Sequence, residues 1–406
     1  MTNPLRRGLD PSIPGALLHL VRTGQATTRA ELAARTGLAR STVAQRVDLL
    51  IDAGLLLQAG EAPSTGGRPP MRLAFNARAG VVLAADLGAT HARLAVTDLT
   101  AVPLAELAED IAIARGPEAI LGWVIDGFGE LLHRIGRDRS QVWGVGVGLP
   151  GPVEFAAGRA VSPPIMPGWD GFSVPDAVRG VWPVPVLVDN DVNIMALGEY
   201  SAVYRDEVSD LLFIKIGTGI GAGLIASNQI QRGAQGSAGD MGHVRVPGES
   251  DALCRCGNIG CLEAVAGGAA LAGRLRELGY STDTARDVVR LVRSGNADAG
   301  RLVREAGRTL GHMLATAVNL LNPAVIVLGG TVAQAHEQLL AGVREIIYQR
   351  SLPLATRHLR IARSTLEDRA GITGAATMMI DHLLEPTRVD GLIADLHGSH
   401  AATDAV

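Results

Sequence analysis

All three cysteines of the chain fall within eight residues, in the stretch Cys254-Arg-Cys256-Gly-Asn-Ile-Gly-Cys261-Leu-Glu263. Three soft thiolates that close together, separated by glycines, read as a loop folded around a metal ion. His243 stands eleven residues upstream and supplies a fourth ligand. A Cys₃His set is a tetrahedral, closed arrangement typical of structural zinc. Two or three free buried thiols are the plainer reading. Scattering three cysteines over 406 residues would rarely gather them in one hairpin. A closed zinc site is scaffold, and its work would be to hold its neighbours, His243 and Glu263, in place.

Other chemistry-bearing stretches follow short apolar runs. Val81 to Ala85 reads as a buried strand that delivers Asp86-Leu-Gly88-Ala-Thr90, and Leu211 to Ile216 delivers Gly217-Thr218-Gly219. Each is strand, glycine/threonine turn, strand. Backbone N–H groups in such turns can face an anion, and Asp86 can hold a metal-bound water. Singly, either turn is as well read as an ordinary hairpin. Their repetition predicts a duplicated, two-lobed fold with phosphate held between the lobes, the logic of the actin/hexokinase class. Val325 to Leu328 is a further buried strand, turning at Gly329-Gly330. Val184 to Val188 leads into Asp189-Asn190-Asp191-Val-Asn193, with a helix expected from Ile194 to Ser201. A carboxylate at a strand end beside a helix start suits a general base or a ligand for sugar hydroxyls. A helix N-cap, from Asn190 or Asp191, is the equal alternative. Trp169 fits a ligand stack or a core plug. The single lysine, Lys215, reads as codon bias, not chemistry.

The length suggests two or three domains, and 47% hydrophobic residues suffice for substantial cores. The chain has no apolar run long enough to predict a membrane span. Met1 to Asp10 lacks the apolar core of a signal peptide. Metal-bound cysteines fit a reducing cytoplasm. The net charge of -4 is unevenly spread. Residues 1–75 hold 9 Arg against 5 Asp+Glu, while the rest of the chain is acidic. A small basic head on an acidic body points to nucleic acid.

The head, residues 10–76, reads as helix, turn, helix, then hairpin. Pro14 to Arg22 is a first helix. Thr28 with Glu31 makes a capping box for a second. Val43, Val47, Leu50 and Ile51 line one face of a third helix from Arg40 to about Ala53. Its other face carries Arg40, Ser41, Thr42, Gln45 and Arg46, which can meet phosphates and base edges in a major groove. Two short strands flank the tip Gly66-Gly67-Arg68-Pro69-Pro70, an extended finger whose arginine suits a narrow minor groove. This is a winged helix-turn-helix. A small packing subdomain is the alternative.

Nearly the whole chain, roughly residues 10–385, resembles the ROK family of repressors, open reading frames and sugar kinases, with the body at residues 80–385 and the fused winged head resembling the family's transcriptional regulators. The resemblance rests on Asp86-Leu-Gly-Ala-Thr90, Asn190-Asp191-Val-Asn193, Ile216-Gly-Thr-Gly219, Asp240-Met-Gly-His243 and the Cys254–Glu263 loop. It implies a bilobal actin-like, hexokinase-type (ribonuclease H-like) α/β fold. Sugar would lie in the cleft and, in kinase members, ATP with Mg at the glycine turns. Carried over by position, Asn190, Asp191, His243 and Glu263 would bind sugar hydroxyls. Asp191 would be the base of a kinase. His243, Cys254, Cys256 and Cys261 would hold zinc, with the second ring nitrogen of His243 facing the sugar. Asp240 stands where a sugar-binding Glu is usual.

Two further departures from the kinase pattern matter. Family kinases usually have Asp-x-Gly-Gly-Thr-Lys at the first turn, where this chain has Ala89 and His91. A Cβ at Ala89 crowds the backbone's approach to phosphate, and losing the lysine removes a fixed charge. The resemblance therefore predicts a sugar-responsive DNA-binding regulator, a repressor acting as a homodimer or homotetramer on an inverted-repeat operator. An ATP-dependent sugar kinase is the alternative. Residues 386–406 are expected to be a weakly ordered tail.

Overall fold

The computed structural model describes residues 13–61, 71–246, 248, 251–335 and 337–393. Proline at the first turn starts α1 (Pro14–Arg22), which buries most of its length. The Thr28 hydroxyl accepts from the Glu31 N–H, and Glu31 accepts from the Thr28 N–H, so the capping box forms at α2 (Arg29–Thr36). Gly37, left-handed at φ 73°, ends it. Helix α3 (Arg40–Asp52) buries Val43, Val47 and Leu50, as its periodicity predicts. Strand β1 (Leu56–Glu61) pairs antiparallel with β2 (Met71–Phe75). The finger carrying Arg68 lies outside the described residues.

The first lobe contains β3 (Val81–Leu87), β4 (Ala92–Thr97), β5 (Pro103–Glu109), α4 (Pro117–Arg134), β6 (Val142–Leu149), the short pair β7 (Val153–Glu154) and β8 (Arg159–Ala160), α5 (Val174–Arg179) and β9 (Val186–Asn190). Its sheet runs β5-β4-β3-β6-β9, antiparallel at the hairpins and parallel from β3 to β9. Strands β3 and β6 are buried at every position and, Asp86 apart, apolar, as central strands covered on both faces must be.

Helix α6 (Asp191–Glu199) leads to the second lobe: β10 (Leu211–Ile216), β11 (Ile220–Ala226), β12 (Gln229–Gln231), α7 (Leu262–Ala266), α8 (Gly268–Glu277), α9 (Ala285–Arg293), α10 (Ala297–Leu321), β13 (Val325–Gly329), α11 (Glu337–Arg350), α12 (Pro353–Thr356) and β14 (Arg360–Arg363). The order β12-β11-β10-β13-β14 repeats that of the first sheet strand for strand, so the predicted duplication holds. The sequence reading missed β5, β12 and β14, the edge strands that complete each sheet.

Helix α13 (Ala370–Leu383) returns between the lobes. It packs on β3 and β6, while α6 packs on β11, and the two helices lie against one another. They approach backbone to backbone. A Cβ on Gly374 would sit 2.8 Å from the Gly198 nitrogen, and one on Gly198 would sit 2.7 Å from the Gly374 nitrogen.

Two expectations are corrected here. The helix after Asn190 starts at Asp191, not Ile194, because Asn190 caps it and no residue of Asp191–Asn193 breaks it. The weakly ordered tail does not begin at Pro386. Residues 389–393 form a helical turn whose Val389 and Ile393 are buried in one cluster with Leu17, Leu18 and Leu50 of the head. Apolar side chains spaced to pack on the head explain why the chain stays ordered there; the remainder of that expectation lies outside the described residues. The head is thus docked, not tethered. Asn76 Nδ2 also donates to the Gly54 carbonyl at 2.8 Å, fixing the linker to the head. Among the described residues no helix is long and apolar enough to cross a membrane.

Candidate functional site

Asp191 opens α6 at the end of β9, and it is buried. A helix N-terminus favours a carboxylate there. The N-cap is Asn190, whose Oδ1 accepts from the N–H groups of Val192 (2.9 Å) and Asn193 (3.4 Å). Asn190 Nδ2 donates to the Gly151 carbonyl at 2.9 Å. Its amide is therefore engaged in holding the strand-to-helix corner. Asp189 accepts from Arg232 Nε at 2.7 Å and from Asn193 Nδ2 at 2.9 Å, and the Arg232 guanidinium stacks 3.8 Å from the centroid of the Phe155 ring.

Lys215 overturns its reading as a by-product of codon usage. Its ammonium donates to Asp191 Oδ2 from β10 of the opposite lobe, making a largely buried ion pair. Burial works to lower the Lys215 pKa, but the Asp191 and Asp86 carboxylates outweigh it and hold the ammonium above its ordinary value. At Asp86, burial pushes the carboxyl up to about 7 against the pull of the Lys215 charge. Asp86 also abuts the start of α13: a Cβ on Gly371 would lie 2.8 Å from that of Asp86. The available signal for Lys215 was its uniqueness combined with its place just before Gly217.

The glycine turns form where expected, and at the first two, side chains of this chain pack against the glycines. At the first, Gly88 N–H donates to the His91 carbonyl at 2.8 Å, and a Cβ on Gly88 would meet the His91 ring at 2.6 Å. Burial, with Lys215 adding to it, holds His91 below its ordinary pKa. Thr90 is exposed. At the second, Gly217 N–H donates to the Gly219 carbonyl at 2.9 Å. The Lys215 stem runs over Gly217, with Cε 3.6 Å from where a Cβ would stand. The Glu263 carboxylate covers Gly219, its Cδ 2.7 Å from a Cβ position there, and accepts from the Ile220 N–H at 3.2 Å. Carbonyls of Gly217 and Thr218 accept from N–H groups of Gly268 and Ala269 at the start of α8. The third turn joins them. Gly330, at φ 83°, has the Ile216 carbonyl oxygen 2.7 Å from its Cβ position, so Gly329-Gly330 abuts the strand that ends at Gly217.

The metal-ligand prediction is met in geometry. The ligand atoms of His243, Cys254, Cys256 and Cys261 all lie within 4.8 Å of one another. Cys256 and Cys261 sulfurs are 3.7 Å apart, and Cys254 Sγ is 3.5 Å from His243 Nδ1. A zinc tetrahedron with bonds near 2.3 Å has edges of about 3.8 Å, so the donor set fits that ion in type and spacing. With Nδ1 on the metal side, His243 Nε2 is directed toward Asp240, 4.0 Å from Oδ1, which is beyond hydrogen-bond range. Asp240 is exposed. Cys261 is the residue from which α7 starts, and Glu263 lies in its first turn. A metal here would therefore set the position of both His243 and Glu263.

On the head, Arg40, Ser41 and Gln45 are exposed, and Thr42 and Arg46 half-buried. No side chain caps α3, and its first turn holds no acid, which leaves that helix end favourable to an anion. Arg46 Nε is buried without a partner.

Residues 82–382 match the model of the ROK family, and residues 16–56 match that of a winged helix-turn-helix DNA-binding domain. The chain belongs to the ROK family. A putative xylose repressor from Caldicellulosiruptor sp. is 29% identical over 91% of this chain and 95% of its own length. The transcriptional dual regulator NagC of Escherichia coli is 26% identical over 88% and 92%. Among solved structures, a ROK family transcriptional regulator, a homologue of the E. coli MLC protein, superposes with a TM-score of 0.80 at 24% identity, covering 95% of this chain and 99% of that one. A ROK family glucokinase from Streptomyces griseus, in complex with glucose and AMPPNP, gives 0.64 at 27% identity, covering 74% of this chain and 99% of that one. The regulator aligns through the head as well as the body; the kinase aligns with the ROK body's share of the chain. The chain is a winged helix-turn-helix followed by an actin-like, hexokinase-type ROK domain.

Proposed function

We propose that this ROK protein is a cytoplasmic, sugar-responsive DNA-binding repressor. The observation that carries it is the pairing of a docked winged head with glycine turns against which His91, Lys215 and Glu263 pack. A body built to transfer phosphate needs those turns open to the nucleotide; a body built to sense sugar needs only the cleft. Sugar hydroxyls would meet Asp191, His243 and Glu263, with Asn190 holding the corner and Asp240 at the rim. The residues that would meet DNA are Arg40, Ser41, Thr42, Gln45 and Arg46 on α3, and Arg68 on the finger. Zinc on the Cys₃His cluster would be structural.

The route from cleft to head is short. Sugar at Asp191 bears on α6, α6 is seated on α13, and α13 ends at the head. In a homodimer or homotetramer, a small rotation of that rod changes the spacing of two recognition helices. Half-sites lie about 34–36 Å apart, so a small change spoils register on an inverted repeat.

The test is fluorescence anisotropy with DNA from upstream of the protein's own gene, at fixed salt, with and without D-xylose, D-glucose and N-acetyl-D-glucosamine. Binding that one sugar weakens is the expected outcome. No DNA binding under any condition overturns the reading. A second reading, an ATP-dependent sugar kinase, is favoured by the position of Asp191 alone. It requires phosphorylation of a sugar that Asp191→Ala abolishes.

A further inference from the structure

Lys215 is the only lysine in the chain, and it reaches from β10 of one lobe to Asp191 on the other side of the cleft. Asp86 on β3 pairs in register with Gly148 on β6, and a Cβ on Gly148 would lie 3.5 Å from the Asp191 Cα, so the two carboxylates sit at the same end of one sheet. Two buried carboxylates that face one desolvated space repel, and one cation between them removes the conflict. Magnesium commonly fills such a place, held by one or two carboxylates together with phosphate oxygens. The Lys215 stem also lies along Gly217, on the turn that a phosphate would approach.

We propose that the Lys215 ammonium is the resident cation of the cleft. It stands in for a divalent metal between Asp86 and Asp191. It holds Asp191 oriented as an acceptor for a sugar hydroxyl. Sugar is then bound without metal or nucleotide and released unchanged. Lys215 is thus a positioning residue that makes this cleft a receptor. The proposal rests on the reading of the chain as a sugar-responsive regulator.

Removing the ammonium returns the place to a metal. In wild type, calorimetric binding of D-xylose, D-glucose or N-acetyl-D-glucosamine is indifferent to millimolar Mg²⁺. Lys215→Met weakens that binding about tenfold or more, the loss of a charged hydrogen-bonded partner, and Mg²⁺ restores it. Lys215→Arg keeps the charge and needs no metal. The same contrast is read without sugar: Mg²⁺ raises the melting temperature of Lys215→Met and leaves that of wild type unchanged. Three outcomes overturn the proposal: wild-type binding that requires Mg²⁺, a Lys215→Met chain that behaves as wild type, or a Lys215→Arg chain as impaired as Lys215→Met with no response to metal. If Lys215→Met does not fold, Lys215→Met/Asp86→Asn removes one of the two unbalanced carboxylates and restores the fold; a double variant that stays unfolded overturns the proposal. If none of the three sugars alters operator binding by wild type, the regulator reading fails, and the Mg²⁺ melting contrast still decides the role of Lys215.

Discussion

Arg22 on the first helix of the head donates to Asp381 in the last turn of α13 at 2.7 Å. Arg205, just past α6, donates to the other oxygen of the same carboxylate at 3.3 Å. One carboxylate thus gathers the head, the end of the α6 segment and the helix that runs between the lobes. Asp381→Ala is expected to cost about 1 kcal/mol or less in stability, since the pair is partly exposed. Operator binding persists, while the sugar-induced change in anisotropy shrinks. Measuring both on one preparation separates coupling from folding.

Asp86 predicts a pH dependence. Its carboxyl titrates at about 7 in the folded chain against 3.8 for an ordinary Asp. The folded state holds that proton more tightly than the unfolded one. Asp86 therefore costs nothing below pH 4, costs progressively more as pH rises to 7, and costs a constant amount above. Asp86→Asn should stabilise the protein at pH 8, with a ceiling of about 4 kcal/mol, and change little at pH 4. Urea unfolding at the two pH values checks it. Equal effects at both would mean that packing, not ionisation, governs the site.

Metal removal is expected to act on the cleft more than on the head. Elemental analysis should find one zinc per chain, lost in Cys261→Ser. That variant loses the setting of His243 and Glu263 and should lose its sugar response. Among the described residues no contact between the head and the cluster is seen, so operator affinity in the absence of sugar should remain near wild type. Loss of DNA binding along with the zinc would refute this division of labour.

Exposed Arg40 stands at the N-terminus of α3, which no side chain caps. Arg40→Ala should weaken binding to all sequences alike and reduce the slope of affinity against salt by about 1. Gln45→Ala should instead cost about 1–3 kcal/mol on the operator and relax preference at one base position. Anisotropy titrations across a salt series, on operator and on scrambled DNA, distinguish the two.

The sequence made the cysteine cluster legible because metal ligands must be close in space, and here they are close in the chain. The three head helices were legible through local signals: Pro14, the Thr28–Glu31 box and the period of Val43, Val47 and Leu50. The duplicated hairpins announced the two lobes. Other features come only from long-range packing. Lys215 gains meaning because β10 points it at Asp191, 24 residues away in sequence. Arg232 binds Asp189 across 43 residues, and no local pattern marks it. Edge strands β12 and β14 are short and half-polar, so alternation gives little signal. The order of residues 386–393 depends on the head, almost the whole chain away.

The contact of Gly198 with Gly374 constrains how this protein can vary over time. Neither position can accept a side chain unless the helices part, and parting them would break the seat of α6 on α13. The two helices must be inherited as one part. The rim of the cleft, where Asp240 is exposed, and the outer face of α3 carry no such burden. Side chains can therefore change at the cleft rim and on the outer face of α3 without disturbing the close contact of α6 with α13.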